Sequence, residues 1–189
     1  MPNPLPTFEP FPKIPRLNRE VIVTEKIDGT NASVHIFEDG HVQAASRNRW
    51  ITPMSDNYGF AAWVEKHADE LRERLAVGTH FGEWWGPGIQ RGYGIPEKRF
   101  SLFNTSRWEK AEKPPCCHVV PVLARASGLK GLDVVNVALA RLREEGSLAA
   151  PGFKNPEGVV VFHVASRNLY KVLLGGDDLP KSLQEHKDA

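Results

Sequence analysis

A chain of 189 residues, 41% of them hydrophobic, is long enough to bury one sizeable core and too short for two. Lys and Arg number 24 against 23 Asp and Glu, a formal net charge of +1, so no global field draws polyanions and any contact with nucleic acid must come from a local patch. Nothing reads as a membrane span, and the proline-rich start, residues 1–15, has neither the cationic lead nor the apolar run of a secretory signal; it reads as an extended arm.

In chain order, residues 21–25, 32–37 and 41–46 cluster or alternate β-branched and apolar types, and Glu38-Asp39-Gly40 between the last two is a hairpin signal. The chain is expected to begin as an antiparallel sheet. From Asn57 to Leu75, Phe60, Trp63, Val64, His67, Leu71 and Leu75 recur at three- and four-residue steps, which predicts one amphipathic helix. Residues 79–84 and 99–104 read as strands flanking a Gly/Pro-rich loop, Gly86 to Pro96, long enough to carry function. Cys117 to Leu123 reads as a buried strand. Asp133 to Glu145 carries Val134, Val137, Ala138 and Leu142 at helical spacing, with Asp133 as N-cap and Gly146 as terminator. Strands follow at 158–164 and 168–174, then a polar tail over 176–189. Strands with a few covering helices make an α+β domain, placed at residues 16–175, and no internal repeat is present.

Lys26 is the residue with the most to say. The apolar lead-in Val21-Ile22-Val23 delivers it into an Asp28-Gly29 turn, which is how a side chain is presented for attack. An amine with an ordinary pKa of about 10.4 is protonated at neutral pH, so a nucleophilic lysine needs a site that desolvates it or sets cations nearby. Taken alone, Lys-x-Asp-Gly is more often an exposed hairpin lysine beside a turn. Glu157, ahead of the apolar run Val159 to Phe162, and Glu83, inside Thr79 to Trp85, are carboxylates set among apolar residues, a position that calls for a pairing or a ligand. Cys116 and Cys117 are adjacent, which disfavours a disulfide, and read as reduced thiols of a cytoplasmic protein. With His118 they lack the usual spacing of zinc ligands.

The order of these segments is more specific than any one of them. Lys26-Ile27-Asp28-Gly29-Thr30-Asn31 is followed by Ser46-Arg47-Asn48-Arg49, Phe81-Gly82-Glu83-Trp84, Arg99-Phe100-Ser101-Leu102-Phe103, Pro156-Glu157-Gly158 and Leu169-Tyr170-Lys171-Val172. In order and approximate spacing this resembles the covalent nucleotidyltransferases, the superfamily of ATP-dependent RNA and DNA ligases and mRNA capping enzymes, and most closely the RNA ligases. The resemblance covers roughly residues 20 to 175. It implies a nucleotidyltransferase domain of two antiparallel sheets with the nucleotide pocket between them.

The resemblance also implies roles. Lys26 would attack the α-phosphorus of ATP to give lysyl-AMP, Lys171 would face that phosphate, and Glu157 would help to hold Mg²⁺. Relatives often carry a Lys-x-Lys pair where this chain has Lys171-Val172-Leu173; Lys181 is a candidate for the missing cation. Glu83 would take the ribose hydroxyls, Phe103 (alternatively Phe100) would stack on adenine, and Glu25 would lie near its amino group. Arg47, and less directly Arg49, would reach the ribose or an acceptor 5′-phosphate. Asp28 and Gly29 shape the nucleotide site, and Asn31 would contact the reactive end. The loop Trp84 to Tyr93 would either stack on an RNA terminus or close rigidly over the nucleotide. The expected substrates are RNA ends bearing 5′-phosphate and 3′-hydroxyl, as in RNA repair. No OB-fold or comparable domain is expected in this chain, so a protein partner could supply the grip on the polynucleotide. The competing readings are a DNA nick ligase, a GTP-using capping-type enzyme, and a non-catalytic nucleotide- or RNA-binding module.

Overall fold

The computed structural model describes residues 7–127 and 131–175. Among these residues are ten strands and four helices: β1 (Val21–Lys26), β2 (Thr30–Ile36), β3 (Val42–Ser46), β4 (Trp50–Ile51), α1 (Phe60–Lys66), α2 (Ala68–Arg74), β5 (Gly78–Trp85), β6 (Arg99–Leu102), α3 (Thr105–Trp108), β7 (Cys117–Val119), β8 (Val122–Ala126), α4 (Gly131–Glu145), β9 (Gly158–His163) and β10 (Asn168–Leu173). They form two sheets, one ordered β10-β9-β1-β8 and the other β4-β3-β2-β5-β6-β7. This is the α+β architecture expected, with one departure: β6 and β7 pair in parallel. The segment between them, which includes α3, returns the chain to the same end of the sheet, as a parallel pair requires.

Each sheet is covered by helix on one face. Ala32, Val34, Ile36, Ile51, Trp84 and Phe100 meet Phe60, Val64, Leu71 and Leu75 of the α1–α2 layer. Val21, Val23, Val159 and Val161 meet Ala138, Leu139 and Leu142 of α4. Strand side chains alternate between faces, so the residues between these, including Lys26, Asn31, Ser33, Phe81 and Glu83, point away from the helices. A third, smaller cluster of Ile27, Trp85, Tyr93, Val120 and Ala150 closes one end.

Three expectations are corrected. The single helix over 57–75 is two, broken at His67 (φ −107°, ψ 14°), whose N–H is shared between the carbonyls of Trp63 and Val64. The apolar spacing is right all the same, since Phe60, Val64, Leu71 and Leu75 are all buried. The strand over Cys117–Leu123 divides at Val120–Pro121. The Val120 N–H bonds the Leu102 carbonyl of one sheet at 3.1 Å, while the Pro121 carbonyl accepts from the Glu25 N–H of the other at 2.9 Å. Proline has no N–H to continue a ladder, and the chain changes sheets there. Asp133 falls in the first turn of α4 rather than at its cap, while Gly146 (φ +88°) ends that helix as expected. Lys181 and the tail, 176–189, lie outside the described residues.

Candidate active site

Lys26 ends β1 opposite Gly158 of β9, one residue after Glu157. This register brings the Lys26 Nζ to 2.5 Å from the Glu157 Oε2, in a pair whose side chains are 25% and 15% exposed. Lys171 is paired with Val160, which is paired with Thr24. Residues opposite one another across strands share a face, and Thr24 and Lys26 share theirs, so Lys171 projects from the same side as Lys26. It is exposed, and no carboxylate pairs with it among the described residues.

The turn after Lys26 needs glycine at position 29. A Cβ there would sit 2.5 Å from the Trp84 carbonyl oxygen and 2.7 Å from the Trp85 Cβ. The close approach lets the Gly29 N–H donate to the Glu83 Oε1 at 3.2 Å, joining the Lys26 turn to the other sheet. Gly82 permits a similar approach on β5, where a Cβ would meet the Phe100 ring at 2.6 Å. Burial pushes the Glu83 carboxyl up to about 7; Lys26 and the Gly29 N–H oppose the rise, and Glu157 and Asp28 add to it. The cleft thus gathers Lys26 and two carboxylates at the junction of the sheets, with Lys171 on the same face two strands away.

The remaining expected residues separate by geometry. Arg47 is exposed at the tip of the β3–β4 hairpin and makes no hydrogen bond or ion pair among the described residues, whereas Arg49 is spent on the Ser55 carbonyl and hydroxyl, both at 3.0 Å. Phe103 lies beside Phe81, to whose carbonyl its N–H donates at 3.0 Å, and is 39% exposed. Phe100 is fully buried against Phe60 and Trp63, which leaves Phe103 as the aromatic open to a ligand. Asn31 stands opposite Glu83 on the cleft face. Asp28 does two structural jobs: its Oδ2 accepts from the Arg91 Nε at 2.8 Å, and its N–H donates to the Tyr93 hydroxyl at 2.8 Å.

Glu25 is turned away from the cleft, as its position next to Lys26 on a strand requires. Its Oε1 accepts from the Ser147 Oγ at 2.5 Å and its Oε2 from the N–H groups of Leu148 and Ala149 at 2.8 and 2.9 Å. The carboxylate is 1% exposed and committed to the segment after α4, so it is not available to an adenine amino group. In the loop after β5 the aromatics are packed inward, Trp84, Trp85 and Tyr93 being at most 2% exposed, so they are not open to stack on an RNA terminus. Its Arg91 also donates to the Asn155 carbonyl and Oδ1, both at 3.1 Å, two residues ahead of Glu157. Arg91 therefore ties the Lys26 turn to the strand entry that carries Glu157, a role sequence reasoning missed because the contacts span more than sixty residues on either side. Arg99, over the Trp85 ring at 5.9 Å, holds among the described residues the one buried side-chain nitrogen or oxygen without a partner, its Nε.

The cysteines do not form a site with His118. Cys117 is buried in the core, and the neighbouring Cys116 Sγ and burial both push its thiol up. Cys116 lies instead near His67 and Glu70, but Glu70 already accepts the Cys116 N–H. No helix among the described residues is long and apolar enough to cross a membrane.

Structures of Naegleria gruberi RNA ligase share this fold. One with pyrophosphate superposes with a TM-score of 0.62 at 20% identity, covering 91% of this chain and 53% of that one. A variant of the same ligase with ATP and Mn gives 0.60 at 20% identity over 91% and 52%, and another with AMP and Mn gives 0.62 at 19% over 91% and 53%. The chain thus spans about half the length of the solved ligases it matches. A family profile described as RNA ligase matches residues 19–173, most of the chain and every motif of the cleft, and the chain belongs to the RNA ligase family.

Proposed function

We propose that the chain is the adenylylating portion of an ATP-dependent RNA ligase. The observation that carries the reading is the convergence of Lys26, Glu157 and Glu83 at the junction of the two sheets, with Lys171 on the face of the nucleophile. Lys26 Nζ attacks the α-phosphorus of ATP; an N–P bond forms, the bond to the bridging oxygen breaks, and pyrophosphate leaves. Glu157 Oε2 aims the amine and is the nearest acceptor for the proton that the nitrogen sheds. Lys171 neutralises charge on the phosphate, since phosphoryl transfer asks for positioning and cations more than for a base. Glu83 receives the ribose hydroxyls and Phe103 stacks on the base.

The donor set fits a hard divalent cation. Glu157 and Glu83 offer carboxylate oxygens to the same cleft. Glu157 would hold such an ion, Mg²⁺ or Mn²⁺, which supplies charge neutralisation at the phosphates. The later steps follow from the same reading: the 5′-phosphate of an RNA strand takes AMP from Lys26, and a neighbouring 3′-hydroxyl then displaces AMP to seal the strands.

The test is intact-protein mass after incubation with ATP and Mg²⁺. One acid-labile AMP is expected on the wild-type chain and none on Lys26→Ala. No adduct on the wild type, or an adduct that persists on the variant, refutes the reading.

A further inference from the structure

Beyond Asn31 and Glu83, the same sheet face carries a trough that the adenylylation chemistry leaves unused. Register pairs Ser33 with Phe81 on one side and with Ala45 on the other, and Ala45 with Trp50. These four side chains form one row across β5, β2, β3 and β4. The two in the middle are small and buried, while those at the ends are large and exposed, Phe81 at 56% and Trp50 at 54%. With strands about 4.8 Å apart, the aromatic walls stand roughly 14 Å from each other over a floor of Ser33 and Ala45. The cavity between them is about 300 Å³ and is bordered by the hairpin Ser46 to Arg49. His35 sets the Trp50 wall: their rings meet edge to face at 4.4 Å, and the imidazole is itself fixed by the hydroxyls of Ser33 and Thr79, at 3.0 and 2.9 Å.

The chemistry of the lining selects the occupant. Two arginines border the trough, no carboxylate does, and Arg47 is the one without a partner among the described residues. Aromatic faces with an arginine are what an unpaired nucleotide asks for, stacking for the base and a fork for the phosphate. The place is also right. Ser33 and Phe81 lie two residues along their strands from Asn31 and Glu83, about 7 Å, close to the length of one nucleotide of extended strand.

We propose that this trough seats unpaired nucleotides of the RNA strand next to the end being joined, one base stacked on Phe81 and another on Trp50, with a phosphate on Arg47. This rests on the ligase reading, and the test separates the two. Binding of a 5′-phosphorylated, 3′-labelled oligoribonucleotide to the full chain is followed by anisotropy without ATP, beside lysyl-AMP yield by mass. Trp50→Ala and Phe81→Ala are each expected to weaken RNA binding about tenfold, within the range for one stacked base. Both should leave lysyl-AMP formation and thermal melting at wild-type levels, and Trp50→Phe should keep RNA binding. RNA should also quench tryptophan fluorescence of the wild type and not of Trp50→Phe. Wild-type affinity in both alanine variants, or no RNA binding by the wild type, overturns the proposal. Loss of lysyl-AMP in step with RNA binding overturns it too, by making the trough a region of the ATP site. Failure of the ligase reading shows differently, as absence of lysyl-AMP on a wild type that still binds RNA through Trp50.

Discussion

Replacing Glu83 by glutamine should stabilise the protein while disabling it. The carboxyl rises from 4.5 to about 7 because burial penalises its charged form. The sign follows from linkage: the unfolded chain ionises this group from about pH 4.5, the folded chain only from about 7, so stability falls between those values as pH rises. Glutamine fills the same volume, keeps an oxygen for the Gly29 N–H, and carries no charge. A tenfold change in the ionisation equilibrium is worth about 1.36 kcal/mol. The variant should therefore gain little below pH 4.5, about 1 kcal/mol at pH 5 and at most about 3 kcal/mol at pH 8. For a chain of this size that is a rise in Tm of roughly 6 to 12 °C at pH 8. Melting of both proteins from pH 5 to 8, with lysyl-AMP yield at each point, tests it. A variant that melts with or below the wild type at pH 8 would refute the argument that the carboxylate is strained by burial. Unchanged yield would refute its role at the nucleotide.

Other outcomes are expected from the same geometry. Arg91→Met should lower lysyl-AMP formation about tenfold with Tm little changed, because it loosens the Lys26 turn from the segment ahead of Glu157; single-turnover rates of the two proteins decide this. Glu25→Ala should cost about 2 to 4 kcal/mol, since it strands the buried Ser147 hydroxyl and two backbone N–H groups, and denaturant unfolding reads it directly. Phe100→Ala should cost about 3 to 5 kcal/mol as a core cavity, whereas Phe103→Ala should keep its stability to within about 1 kcal/mol and raise the KM for ATP. Equal effects of the two on stability would contradict the split between core and cleft.

Local signals in the chain were enough for the strands around Lys26 and for α4, whose terminating Gly146 is where a left-handed glycine belongs. Lys26, Glu83, Glu157 and Lys171 were legible because the motif order places them and because carboxylates among apolar residues need a reason. Strand alternation alone would also have turned Glu25 away from Lys26 and put Phe103, not Phe100, in phase with Ser101 and Glu83. What could not be read is what depends on distant partners. The sheet change at Pro121, the tie from Arg91 to Asp28 and Asn155, and the row from Phe81 to Trp50 each join residues brought together only by pairing across several strands. The break at His67 is also tertiary, since the apolar spacing of Phe60 through Leu75 runs through it without a fault.

The change of sheets at Val120–Pro121 has a mechanical meaning. Two consecutive residues reach both layers: the Val120 N–H bonds the sheet that bears Glu83, and the Pro121 carbonyl accepts from the backbone of Glu25, next to Lys26. The two walls of the cleft are therefore pinned to one another through backbone at that point, and the spacing of Glu83 from Lys26 is tied to the course of a two-residue step in the chain.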